Sequence, residues 1–165
     1  MSDSIVEQLI LRNLDVYQIQ KYQQNRYPCF FVDHIEEAIP GKSAIGHKNF
    51  TYNEWFFPAH FEDEPNVPGF VQIETLAQVF LMTFLTIPNN EGKKTAVVSS
   101  KAKFKQKIIP GQRLDIEAKL ESYHRGLARG GVVGSVNGQF ACQADFVIAI
   151  PDVMKRFIPN SQIVK

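Results

Sequence analysis

Between Lys48 and Lys93 this chain of 165 residues has no lysine or arginine at all. The same stretch holds Glu54, Glu62, Asp63, Glu64, Glu74 and Glu91, so the formal net charge of +1 conceals an acidic middle in a basic frame. A near-neutral total argues against a basic nucleic-acid binder. Cysteine is scarce as well. Cys29 and Cys142 are the only two, and they match neither a CxxC pair nor a zinc spacing. That excludes a disulfide framework and points to free thiols in a reducing, cytoplasmic setting. Uninterrupted apolar runs are missing too. The longest apolar stretch, 67–87, is broken by Gln72, Glu74 and Gln78, which argues against a membrane span. The first residues show no basic segment followed by an apolar one, so no secretion leader is expected. The chain has no HExxH, calcium loop, Gly-x-Ser-x-Gly elbow, P-loop or Gly-x-Gly-x-x-Gly fingerprint, and neither metal nor cofactor is expected.

What is present is apolar content of 44% with 21% charged residues, and 13 phenylalanines beside one tryptophan. This is the composition of a globular chain, and its length suits a single domain over 1–165. Ser4-x-x-Glu7 reads as a capping box, and the chain to about residue 24 as a short helical extension. Strands are expected at 29–32 and 43–52, with Pro40-Gly41 as a turn between them. A proline-bounded acidic loop at 58–68 leads into one long helix over about 70–87, stopped by Pro88. Strand patterns follow at 95–109, 113–123, 132–136 and 139–150. The last two flank Asn137-Gly138, a hairpin signal because both residues tolerate positive φ. From Pro151 an irregular tail is expected. The fold class is α+β, with about six antiparallel strands wrapped around one central helix.

On a helical wheel Gln72, Thr75, Thr83 and Thr86 share a sector that reads as the wetter face. Glu74 lies elsewhere, among Phe70, Ala77, Leu81 and Leu85, with Gln78 one turn on. A carboxylate there is costly to ionise, and a carboxyl still protonated near neutrality is a usable general acid. The alternative is a rotated helix on which Glu74 simply reaches water. His34, His47 and His124 have no visible partner and read as packed or solvated. His60 stands in the loop before the long helix, where a reactive group would be held by a rigid element; the equal alternative is an ordinary loop residue. Pro68-Gly69 opens that helix, whose first amides lack intrahelical partners and could receive a developing oxyanion. Lys101, Lys103, Lys105 and Lys107 form a row, either a solvated strand face or a docking patch for an acidic partner.

Together His60-Phe61-x-x-x-Pro65-x-x-Pro68-Gly69-x-x-x-x-Glu74-x-Leu76-Ala77-Gln78 resembles the active-site signature of the β-hydroxyacyl-acyl-carrier-protein dehydratases of the FabZ type. Arg26-Tyr27-Pro28-x-Phe30-x-Val32-Asp33, Asn53-Glu54-x-Phe56-Phe57 and Lys101-x-Lys103-Phe104-Lys105 extend the resemblance over about 13–150. It implies a hotdog fold and a homodimer, or a trimer of dimers, with active sites at the subunit interface. It implies His60 as base, Glu74 as acid, Gly69 as the amide that binds the thioester carbonyl, Gln78 as the residue orienting the acid, and the Asn66 carbonyl as the holder of the histidine tautomer. Phe57, Phe61, Phe70 and Phe104 would flank an acyl tunnel, and Lys101, Lys103, Lys105 and Lys107 would meet an acyl carrier protein bearing a phosphopantetheine-linked substrate. The implied activity is dehydration of (3R)-3-hydroxyacyl-ACP to trans-2-enoyl-ACP in fatty-acid or specialised acyl or polyene synthesis. The chain departs from the family pattern at Glu62-Asp63-Glu64, where a Pro-Gly turn is usual, and at Gln72, where an apolar residue is usual. The alternatives are an acyl-thioesterase on the same fold, or a non-catalytic subunit that binds acyl-ACP.

Overall fold

The computed structural model describes residues 9–158. Seven strands form one sheet: β1 (Leu11–Leu14), β2 (His34–Ile39), β3 (Ser43–Asn49), β4 (Ala96–Phe104), β5 (Arg113–His124), β6 (Leu127–Val136) and β7 (Gln139–Ala149). Their order is β1-β2-β3-β5-β6-β7-β4, and every pairing is antiparallel. Seven strands replace the expected six: 29–32 forms none, while β2 lies just after it at 34–39 and Leu11–Leu14 pairs with β2 where helix was expected. Helix α1 (Val16–Tyr22) follows, capped by Asp15 and Gln18 in a reciprocal box. The Ser4 box lies outside the described residues.

Helix α2 (Gly69–Leu85) is the spine of the molecule. Thirteen of its residues are buried, from Val71 to Leu85. Its C-terminal carbonyls are met by other parts of the chain: Asn90 Nδ2 donates to Phe84 O at 2.9 Å, and Gly41 N–H to Thr83 O at 2.7 Å. The sheet approaches the helix closely. A Cβ on Gly130 would lie 2.6 Å from Phe80 Cε2 and 2.1 Å from Lys119 O, so only glycine lets β6 cross there. Phe80 in turn stacks on Phe146 of β7, with ring centroids 5.9 Å apart. The sheet therefore curls around α2, and that packing is the core.

The wheel assignment of a wet helix face is overturned. Gln72, Thr75, Thr83 and Thr86 are all buried. The three threonine hydroxyls donate back to the carbonyls of Val71, Phe80 and Met82, so helix backbone satisfies them instead of water. The run at 29–32 is not a strand either, because Phe31 and Val32 give their amides to a helix side chain. From Pro151 the chain is not irregular: α3 (Pro151–Met154) and a 3₁₀ turn at Lys155–Phe157 end the described part. Strand β4 stands at the edge of the sheet, paired with β7 alone, and nearly every residue in it is exposed. Among the described residues no helix is long and apolar enough to cross a membrane.

Candidate active site

His60 closes a 3₁₀ turn (Phe57–Ala59), its N–H donating to Phe57 O at 3.2 Å. The loop then folds back, and Asn66 N–H donates to His60 O at 2.9 Å. His60 Nδ1 lies 3.0 Å from Asn66 O. A carbonyl can only accept, so Nδ1 carries the hydrogen and Nε2 keeps its lone pair in the neutral ring. Phe61 stacks on the imidazole at 4.2 Å between centroids. Within the acidic replacement, Glu64 exchanges backbone bonds with Phe61 and its carboxylate pairs with Lys107.

One concavity of about 320 Å³ is lined by His60, Asn66, Val67, Gly69, Gln72, Phe104 and the segment 105–107. Pro68 is the N-cap of α2 and carries no side-chain cap; the Val71 and Gln72 amides donate back to Pro68 O, while Gly69, whose first-position amide has no intrahelical acceptor, lines this space. A Cβ on Gly69 would come within 3.3 Å of the Phe104 ring. Free Nε2, helix N-terminus and aromatic wall thus share one cleft. The arrangement can take a proton from one carbon while binding negative charge on a neighbouring oxygen.

Glu74 does not open into that cleft. It lies five residues further along α2, half-buried against the segment 23–32. Burial pushes its carboxyl above the ordinary range, and hydrogen bonds from Gln78 and Asn25 pull partly the other way. Gln78 is 0% exposed and makes four bonds. Its Oε1 accepts from Phe31 N–H (2.7 Å) and Val32 N–H (3.2 Å), and its Nε2 donates to Cys29 O (2.7 Å) and Glu74 Oε1 (2.9 Å). Asn25 Nδ2 donates to the same carboxylate oxygen at 3.0 Å. The sequence reading missed Asn25, since 49 residues separate it from Glu74 and no local spacing marks it.

The remaining expected residues divide. Phe104 lines the His60 cleft, while Phe70 is 63% exposed beside it on the helix. Phe57 is buried and lines a different hollow with Tyr52, Pro58, Glu62 and Pro65. The lysine row also splits, because β4 ends at Phe104 and the alternation ends with it. Lys105 and Lys107 stand at the cleft, while Lys101 lines a separate hollow with Glu121, Arg129 and Asp145. Among the described residues no cluster of His, Cys, Asp and Glu could hold a metal ion.

The fold and this pairing of a histidine with a helix N-terminus define a hotdog-type protein. Residues 24–145 match the family model of the FabA-like domain, and the chain belongs to that family. It is 37% identical over 138 residues to the 3-hydroxyacyl-[acyl-carrier-protein] dehydratase FabZ of Clostridium novyi (strain NT), covering 83% of this chain and 97% of that one. The protein of the same description from Ligilactobacillus salivarius (strain UCC118) is 36% identical, with 83% and 99% covered. Among solved structures, the dehydratase heterocomplex ApeI:P from Xenorhabdus doucetiae superposes with a TM-score of 0.69 at 12% identity, covering 86% of this chain and 97% of that one.

Proposed function

We propose that the chain is a (3R)-3-hydroxyacyl-ACP dehydratase, with His60 as base and Glu74 as acid. The observation that carries the reading is the His60 cleft, in which an imidazole held at Nδ1 by the Asn66 carbonyl shares one space with Gly69 at the helix start. The C2 hydrogen of a thioester is weakly acidic. Hydrogen bonding of the thioester oxygen by the Gly69 amide lowers the cost of removing it. His60 Nε2 takes the C2 proton, the C2–C3 double bond forms, and the C3–O bond breaks. Glu74 gives its proton to the departing oxygen, which leaves as water. The enzyme is left as imidazolium and carboxylate, and proton exchange with solvent resets both. Burial of Glu74 favours its protonated starting form.

His60 and Glu74 line different surfaces of one chain, so the reaction needs a second copy to bring them together. The exposed edge strand β4 supports such a homodimer, or a trimer of dimers built from it. Lys105 and Lys107 at the cleft suit an acidic carrier protein delivering a phosphopantetheine-linked acyl group. The test is turnover of 3-hydroxyacyl-ACP to enoyl-ACP followed by mass spectrometry. His60→Ala and Glu74→Ala should each lower kcat by about a hundredfold or more. Unchanged turnover in either variant would remove that residue from the mechanism, and release of free carrier thiol in place of enoyl product would make the protein a thioesterase.

A further inference from the structure

Two N–H donors converge on a single oxygen of Glu74. Gln78 Nε2 lies 2.9 Å and Asn25 Nδ2 3.0 Å from Oε1. The orientation of Gln78 is not free: its oxygen faces the amides of Phe31 and Val32, so its nitrogen must face Glu74. The segment that carries Asn25 is pinned on both sides of it. Gln23 Nε2 donates to Gln78 O at 3.1 Å, and Gln24 Nε2 to Gly92 O at 2.7 Å. The Arg26 guanidinium turns away from the acid, onto the carbonyls of Gln20, Gln23 and Asn25. The groups bonded to the carboxyl are therefore both neutral amides; burial raises its pKa, and these two bonds pull it back.

An oxygen that accepts two N–H bonds has both lone pairs engaged. We propose that Asn25 is a positioning residue for the general acid: with Gln78 it makes Oε1 the carbonyl oxygen of Glu74 and commits the transferable proton to Oε2. The inference rests on the dehydratase reading and adds to it a residue and an atom. It also has a consequence in the transition state. As Glu74 gives up its proton, negative charge grows on the carboxyl, and the Asn25 N–H strengthens its bond as that happens.

The test compares Asn25→Ala and Asn25→Asp with the parent. The first removes the donor. The second keeps the size and replaces the donor with an acceptor. Loss of a hydrogen bond to a developing charge predicts a fall in kcat of about ten- to a hundredfold, with KM nearly unchanged. Both variants remove a bond that favours the carboxylate, so the alkaline limb of the kcat profile should move to higher pH, further for Asn25→Asp. A purely structural role would lower the melting temperature and leave that limb in place. Carbon-detected NMR titration of Glu74 in the free enzyme reads the same shift without turnover. A kcat within twofold of the parent, or an unmoved limb and an unmoved Glu74 titration, would overturn the proposal. A parent that never dehydrates hydroxyacyl-ACP would overturn the dehydratase reading and Asn25's role with it, whatever the titration shows.

Discussion

Gln78 offers the sharpest physical test of the fold around the site. Replacing it with leucine keeps the volume roughly and removes all four bonds of its amide. The Phe31 and Val32 amides then have no acceptor, and both residues are buried. Cys29 is exposed, so its carbonyl can turn to water. Two orphaned buried donors at about 1–3 kcal/mol each give a loss of about 2–6 kcal/mol. Burying leucine in place of a polar amide returns about 1 kcal/mol. The expected net loss is about 1–5 kcal/mol, set against the ~5–15 kcal/mol that holds a domain together. Urea unfolding at one fixed protomer concentration measures it. Gln78→Glu refines the prediction. A carboxylate still accepts from Phe31 and Val32, but it turns an oxygen toward Cys29 O and Glu74, which favours its neutral form in the folded state. A carboxyl whose folded pKa is raised costs stability as pH climbs above its unfolded value of ~4.3. The variant should therefore lose more, relative to the parent, at pH 8 than at pH 4.5. A loss below about 1 kcal/mol for Gln78→Leu, or no pH dependence for Gln78→Glu, would refute the account of this clamp.

Gly69→Ala should fold normally, since Phe104 is half-exposed and can yield to the new methyl, yet turnover should drop at least tenfold as that methyl narrows the approach to the amide. A thermal melt beside a rate assay separates the two effects. A maleimide should label Cys29 rapidly and leave Cys142 untouched until denaturant is added, because Cys142 is buried and its thiol is pushed up to about 12. Intact-mass analysis over a pH series will show one label or two. Charge reversal at Lys105 and Lys107 should raise KM for acyl-ACP several-fold and leave small thioester substrates nearly unaffected, whereas Lys101→Glu should change neither.

Much of this was legible in the chain itself. Pro68-Gly69 and Pro88 bracket α2 closely, and Asn137-Gly138 is the β6–β7 turn, with φ values of 51° and 74°. The family resemblance singles out His60, Gly69 and Glu74; the first two share one cleft and Glu74 lies outside it. Some failures come from long-range partners that override local pattern, others from bonds within one helix or from a strand that stops. The run at 29–32 has strand composition, but Gln78 claims its amides. The threonines of α2 look wet on a wheel and are dry because helix carbonyls satisfy them. Leu11–Leu14 becomes a strand only because β2 offers it an edge. The lysine row is continuous only if the alternation runs past Phe104, where the strand ends.

Strand β4 leaves one further consequence. Its outer edge presents unpaired backbone groups, with Val97 and Val98 exposed on the same strand. Such an edge can recruit any extended chain, and sheets commonly resist this by placing lysine on the edge. Lys101 and Lys103 sit there, opposite Asp145 and Gln143 of the neighbouring strand. Whatever they offer a carrier protein, two like charges spaced along a bare edge also make it selective. A partner strand that brings compensating acids, or offsets its own lysines, can pair; an indiscriminate stack of identical edges in register cannot do so without crowding charge on charge. Neutralising both lysines should therefore shorten the protein's lifetime in concentrated solution before it changes a single rate constant.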